Sequence, residues 1–295
     1  MNRRKFIQAG LTGLAGFSVM GSRAKDLNFA IPETLSIDKV KLGNTGLTVS
    51  RIAMGTGSVG YDQSSNQTRL GMENFIQLAH HAYARGINFF DMADGYGSHP
   101  FVANAIKSIP REKLILLTKI WTQEAGSDQI EPVEKALDRF RSETGSDYFD
   151  ILLMHCMQKG NFSETRKYYM DAFSKAKQDG IVKAIGISCH HIDALAEAAE
   201  SPWVDVIMAR INPFGTRMDD TPEKVKAILE KAKNNGKGII GMKIFGEGKH
   251  VTDSERQQSL QFVLTEGNIH CMTLGMETEA HIDDAVERVT KIVRS

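Results

Sequence analysis

The sequence predicts an α/β fold: a (β/α)8 TIM barrel in a single domain, with a short N-terminal hairpin before the first barrel strand. Three observations predict it. Eight short apolar runs alternate with longer stretches of helical periodicity. Those stretches carry helix start and stop signals. Three of the apolar runs also break on an ionisable residue at the same end, as where the strands of a closed parallel barrel open into loops that carry chemistry.

In chain order, Lys41 to Ser50 carries Gly-Asn-Thr-Gly turn chemistry and reads as the hairpin. The first strand is Arg51–Gly55. The next seven are Ile87–Asp91, Lys113–Lys119, Tyr148–His155, Val182–Ser188, Val204–Ile211, Gly238–Lys243 and Ile269–Leu274. Helical periodicity covers Arg69–Arg85, Pro100–Ser108, Asp128–Glu143, Ser163–Gln178, Ile192–Ala199, Pro222–Asn234, Asp253–Thr265 and Glu277–Val293. Thr221 before Pro222 is a helix start, and Thr252 with Glu255 fits a capping box. Gly86, Gly145, Gly180 and Gly236 stand where a left-handed cap is wanted. An open doubly wound sheet is the competing arrangement, and Gly55-Thr56-Gly57-Ser58-Val59-Gly60 matches the spacing of its dinucleotide turn. The polar stretch Asp62–Thr68 follows it in place of a helix, so the segment reads as a flexible loop at the barrel mouth.

The 295 residues suit one such barrel, and the hydrophobic share of 41% suits a soluble core. Net charge is zero, without the basic footprint of a nucleic-acid binder. The three cysteines, Cys156, Cys189 and Cys271, lie far apart beside apolar runs and read as buried thiols, with no disulfide and no metal-ligand spacing. The N-terminus reads separately. Asn2-Arg3-Arg4-Lys5 precedes a mild apolar run from Ala9 to Met20 and then Ser22-Arg23-Ala24. Residues 1–24 thus resemble a twin-arginine export signal, cleaved after Ala24. The apolar run is too short for a permanent membrane anchor. A periplasmic or otherwise exported protein is expected, with the twin-arginine machinery as a partner. Residues 25–40 read as a linker, and 41–295 as the barrel.

Asp91, Lys119 and His155 each end an apolar strand at one rim, and Tyr96 follows Asp91 in the next loop. Adjacent strands lie about 5 Å apart, so these ends converge. A tyrosine near pKa 10 is a poor acid at neutral pH. A lysine ammonium beside it lowers that pKa, and Asp91 would hold the lysine charged. His155 can donate a hydrogen bond to a carbonyl oxygen. Such a patch polarises a carbonyl and delivers a proton to the developing alkoxide. No side chain supplies hydride, so a nicotinamide cofactor is implied.

Phe90-Asp91-Met92-Ala93-Asp94-Gly95-Tyr96-Gly97 resembles the aldo/keto reductase signature, and Lys119 and His155 fall where that family places its lysine and histidine. The resemblance runs from about Lys41 to Val293. It implies an NAD(P)-dependent oxidoreductase interconverting a carbonyl (aldehyde, ketone or sugar) and an alcohol. Tyr96 would be the general acid/base, Lys119 and Asp91 would tune it, and His155 would orient the carbonyl.

The resemblance also implies a dinucleotide site across the later strands, for NADP or NAD. Ile185-Gly186-Ile187-Ser188 is similar to the family element whose serine contacts the nicotinamide amide; the asparagine that often follows is here Cys189. Asn212 would join the polar contacts. Met208 replaces a common glutamine, and Met242 stands where many relatives stack a tyrosine on the ring. Lys243, Phe245, Gly246 and Gly248 would cradle the pyrophosphate, with Gly55 and Gly275 at the rim. Where phosphate-binding relatives carry Lys-Ser and a later Arg, this chain has Leu274, Gly275 and Ala280, and Glu277 and Glu279 would repel a phosphate. Trp121 would line the substrate pocket. The sequence ends just after the eighth helix, where many relatives add a tail, so an open pocket is expected. His190 and His191, with His155 and His99, suggest a metal only weakly, since adjacent histidines point apart; no metal is expected. Two rival readings remain: an exported cofactor-binding sensor with little turnover, and a metal-dependent barrel hydrolase.

Overall fold

The structure is a computed structural model describing residues 36–122 and 131–295. The export-signal residues 1–24, the linker through residue 35, and the predicted helix start at Asp128 lie outside the described residues.

A two-stranded antiparallel hairpin comes first, β1 (Lys39–Lys41) and β2 (Thr48–Ser50). It begins two residues before the predicted boundary at 41, and Ile37 is already buried. Eight parallel strands follow: β3 (Ile52–Gly55), β4 (Phe89–Asp91), β5 (Ile115–Trp121), β6 (Phe149–Met157), β7 (Val182–Cys189), β8 (Val206–Arg210), β9 (Gly238–Met242) and β10 (Cys271–Gly275). They close in the order β10-β3-β4-β5-β6-β7-β8-β9. Closure satisfies every strand edge, which an open sheet would leave exposed.

Helices α1 (Met72–Ala84), α2 (His99–Ile106), α3 (Val133–Thr144), the short α4 (Phe162–Thr165), α5 (Lys167–Gln178), α6 (Ile192–Glu200), α7 (Pro222–Asn234), α8 (Asp253–Thr265) and α9 (Glu279–Arg294) surround the barrel. Thr221 caps α7 by accepting from Lys224 N, and Thr252 and Glu255 form the capping box of α8. The predicted helix over Ser163–Gln178 is broken at Arg166 into α4 and α5. The four predicted cap glycines all have positive φ.

Strand periodicity sorts the core into two layers. Ala53, Phe89, Ile115, Leu117, Ile151, Leu153, Ala184, Met208, Ile240, Met242 and Cys271 point inward, and Leu42, Leu47 and Val49 of the hairpin segment join them at one end of the barrel. Phe90, Leu116, Leu152, Ile187, Cys189 and Met272 point outward against the helices. The three cysteines are free thiols. Cys189 and Cys271 are buried, but Cys156 is only half-buried, at a register shift in β6, and departs from the expectation of a buried thiol. Among the described residues no helix is long and apolar enough to cross a membrane.

Candidate active site

The inward parity of the strands decides what reaches the mouth. Phe89 points inward on β4, so Asp91, two residues on, does too. Lys119 keeps the parity of Ile115 and Leu117 on β5, and His155 that of Ile151 and Leu153 on β6. Each inward column therefore ends on a titratable group at the carboxyl rim. Lys119 is 1% exposed, and its ammonium donates to Asp91 Oδ1 and, at 2.9 Å, to Met92 O. The second carboxylate oxygen of Asp91 accepts from Thr273 Oγ1 at 2.8 Å.

Tyr96 closes a 3-10 turn over Asp94–Tyr96, with its N–H donating to Ala93 O at 3.1 Å. The turn is fastened from two sides. Arg139 of α3 grips both oxygens of Asp94 at 2.9 and 3.1 Å, and Gln63 donates from its backbone to Gly95 O at 3.0 Å. The Tyr96 ring then lies over Gly57 and Gly60, where an added Cβ would come within 2.1 and 2.6 Å of it. The glycine-rich segment thus makes room for a side chain, which explains its spacing without a dinucleotide turn. It is also tied down rather than loose: Asn66 N donates to Ser58 O at 2.9 Å, and Gln67 Oε1 accepts from Ser58 N at 3.0 Å.

Tyr96 Oη stands 3.3 Å from His155 Nε2, and the two rings meet edge to face at 5.5 Å. Lys119 Nζ lies 4.9 Å from the centre of the Tyr96 ring. Burial raises the Tyr96 pKa, and this outweighs the pull of Lys119, so the phenol sits above its ordinary value. The expectation that Lys119 lowers it is corrected: the lysine acts in that direction, but desolvation is larger. Burial opposes the Lys119 charge most strongly, yet Asp91 and Tyr96 together offset it and lift the ammonium above its usual range. Burial, then Lys119 and His190, hold His155 well below the usual histidine value, which leaves a neutral imidazole. The arrangement offers one oxygen atom a phenol and an imidazole at once, above a lysine that stays charged.

A cavity of about 720 Å³ opens from these four residues. That is large within the usual range of about 300–1,000 Å³ for cofactor and ligand sites. Gly55, Ser188, Met242, Lys243, Phe245, Gly248 and Gly275 line it. Met208 lines it too, in place of the family's common glutamine. His190 Nδ1 is buried without a hydrogen-bond partner among the described residues, and its ring also lines the cavity. The donor-rich inner end, the volume of the cavity and the left-handed backbone at Lys243 and Glu247 together fit a nicotinamide dinucleotide.

Three sequence-predicted contacts lie elsewhere. Asn212 is fully buried and spends its side chain on the chain itself. Its Nδ2 donates to Thr216 O and Lys243 O, and its Oδ1 accepts from Phe214 N and Thr216 N. It therefore shapes the loops after β8 and β9 and has no group left for a cofactor. Gly246 is not a lining residue; it turns the loop, with its N–H on Lys243 O at 2.8 Å. Trp121 is 45% exposed and outside the cavity lining, though its ring packs 4.4 Å from that of His155.

Sequence reasoning passed over Thr273, Ser58, Asn66, Arg256 and Asp284 as site residues and weighed His190 only for a metal; all six line the cavity. Thr273 was findable, because it shares the inward parity of Cys271 on β10. Arg256 and Asp284 lie on α8 and α9, where nothing in the sequence marks the face that meets the cavity. His99, considered for a metal, instead bonds Glu143 at 2.7 Å and Thr118 at 2.9 Å. Among the described residues no three His, Cys, Asp or Glu side chains are grouped to hold a metal ion.

A closed parallel barrel with acid, base and lysine gathered at its carboxyl rim beside a cavity of about 720 Å³ is the architecture of a nicotinamide-dependent barrel oxidoreductase. Comparison with known proteins sharpens that class. The sequence profile of the aldo/keto reductase family matches residues 51–292, and the chain belongs to this family. It is 25% identical over 288 residues to L-galactose dehydrogenase of Arabidopsis thaliana, covering 85% of this chain and 88% of that protein. It is 26% identical over 216 residues to an NADH-specific methylglyoxal reductase of Escherichia coli, covering 67% of this chain and 64% of that one. In fold it is similar to the crystal structure of an aldo-keto reductase of Pseudomonas aeruginosa, with a TM-score of 0.71 and 21% identity over 90% of this chain and 98% of that one. The chain is thus an enzyme of the NAD(P)-dependent carbonyl reductase class, with NADP or NAD as cofactor.

Proposed function

We propose that this enzyme interconverts an aldehyde, ketone or sugar carbonyl and its alcohol, with Tyr96 as the general acid/base. The observation that carries the reading is the 3.3 Å approach of Tyr96 Oη to His155 Nε2, which lets both meet one carbonyl oxygen. His155 donates to that oxygen and orients it. Tyr96, kept protonated by burial, passes its proton to the oxygen as charge develops there. Lys119, held by Asp91, stabilises the phenolate left behind. A nicotinamide dinucleotide supplies the hydride when bound. Gly55, Ser188, Met242, Lys243, Phe245, Gly248 and Gly275 would hold it. The relatives named for L-galactose and methylglyoxal support a sugar or small aldehyde as substrate.

The test is turnover. Purified protein, supplied with NADH or NADPH and a panel of aldehydes, ketones and sugars, consumes the reduced nucleotide. Tight nucleotide binding with no turnover across the panel would contradict this reading and favour a sensor.

The same proposal includes export. Arg3-Arg4 and the apolar run from Ala9 to Met20 support delivery through the twin-arginine machinery to the periplasm, with cofactor already bound. Replacing both Arg3 and Arg4 by Lys should retain the protein in the cytoplasmic fraction. An unchanged distribution contradicts it.

A further inference from the structure

We propose that the far end of the cavity is a ribose-diol site that selects NAD over NADP through Glu277. This rests on the reading that the cavity holds a nicotinamide dinucleotide.

The chemistry fixes which end of the cofactor lies where. Proton and hydride go to adjacent atoms of one carbonyl, so the nicotinamide ring belongs beside Tyr96. The adenosine half then extends to the other end of the cavity, which is lined by Arg256 of α8 and by Glu277, Ala280, His281, Asp284 and Ala285 at the start of α9. NAD and NADP differ only there, by a phosphate on the adenosine ribose. Charge at that end therefore reads the difference.

Among the described residues three lysine or arginine side chains line the cavity, and each already faces a carboxylate. Lys119 has Asp91, and Lys243 has Glu247 at 2.6 Å. Arg256 is the one at the far end. It has Asp284 at 3.0 Å and Asp253 at 3.4 Å, and also donates to Val251 O at 2.5 Å. Glu277 is different: among the described residues its carboxylate is held by an amide, Asn66 Nδ2 at 2.6 Å, and by no cation directly, since Arg69 reaches only the far side of that amide at Asn66 Oδ1. His281 turns its Nδ1 to accept from Glu277 N at 3.4 Å, which leaves only its Nε2 to donate. The positive end of α9 is offset by Glu279 in its first turn. Arg288 shares Asp284 and Asp253 with Arg256, so that cluster is balanced, and a phosphate dianion placed here meets the Glu277 carboxylate with no unpaired cation among the described lining residues. A ribose hydroxyl, which can donate, meets an acceptor. A carboxylate that takes a ribose 2′-hydroxyl is the general means of choosing NAD.

The experiment measures dissociation constants of the purified full-length protein for NADH and NADPH by nucleotide fluorescence, apart from any turnover. NADH should bind about tenfold tighter or better. Glu277→Gln should weaken NADH and tighten NADPH, bringing the ratio near one. Ala280→Arg, which adds a cation at the same end without touching the Glu277–Asn66 bond, should tighten NADPH independently. NADPH binding as tightly as NADH to the wild type, or an unchanged ratio in Glu277→Gln, overturns the inference and leaves the dinucleotide reading standing. Failure of both nucleotides to bind overturns both.

Discussion

A Cβ atom on Gly57 would stand 2.1 Å from the ring of Tyr96. The phenol is thus seated on bare backbone in the loop after β3, and its reach toward His155 depends on that seat. Gly57→Ala should displace the ring from this seat, because the added Cβ and the ring cannot share the space. We expect a large drop in kcat with the melting temperature nearly unchanged. Thermal melts and steady-state rates on the same preparation check this; full activity in Gly57→Ala would show that the seat is unimportant.

Asp91 and Asp150 are buried acids at opposite ends of the barrel, so their loss should differ in kind. Asp150, near the start of β6, is fully buried and accepts from Arg111 at 2.7 Å, Lys183 at 2.9 Å and Leu116 N at 2.9 Å. Asp150→Ala leaves an orphaned amide and a half-buried guanidinium without its partner. It should destabilise the fold by roughly 3 kcal/mol or more. Activity per folded molecule should hold, as read by denaturant titration alongside kcat.

Asp91→Asn removes the charge that offsets the burial of Lys119. The lysine then tends to lose its proton and with it its hold on a phenolate. Here stability and kcat should fall together, and the alkaline limb of the pH–rate profile should move to lower pH. An unmoved limb would argue against Lys119 acting on Tyr96.

Histidines set the acid side of the stability profile. Burial first, and nearby cations second, hold His155 well below its ordinary value and push His190 to about 4. The unfolded chain accepts protons at these rings below about pH 6.5, whereas the folded chain does not. Their stabilising contribution is therefore complete above pH 6.5 and is lost as the pH falls toward the folded values. Melting temperatures taken from pH 7.5 down to 4.5 should decline. His190→Gln should flatten that slope, and an identical slope would contradict the assignment.

Much of the fold was legible because a closed parallel barrel writes its strands as short apolar runs, and α7 and α8 match their predicted bounds through their threonine caps. Asp91, Lys119 and His155 were legible because period-2 parity carries each inward at a strand end. Asn212 misled because an asparagine after a strand reads equally as a cofactor contact or as a loop organiser, and only its four hydrogen bonds decide. Gly57 and Gly60 misled because their constraint is a ring 39 and 36 residues further on in the chain. The Glu277 end was half legible: the missing cations were visible, but the pairing of Arg256 with Asp284 needs two helices brought together.

The most direct test of the account is Tyr96→Phe, assayed for turnover and for nucleotide binding on one preparation. Phenylalanine keeps the ring against Gly57 and removes only the hydroxyl, with its proton. The account predicts a fall in kcat of about 10²–10⁴-fold with nucleotide affinity unchanged. Wild-type turnover in Tyr96→Phe would contradict it.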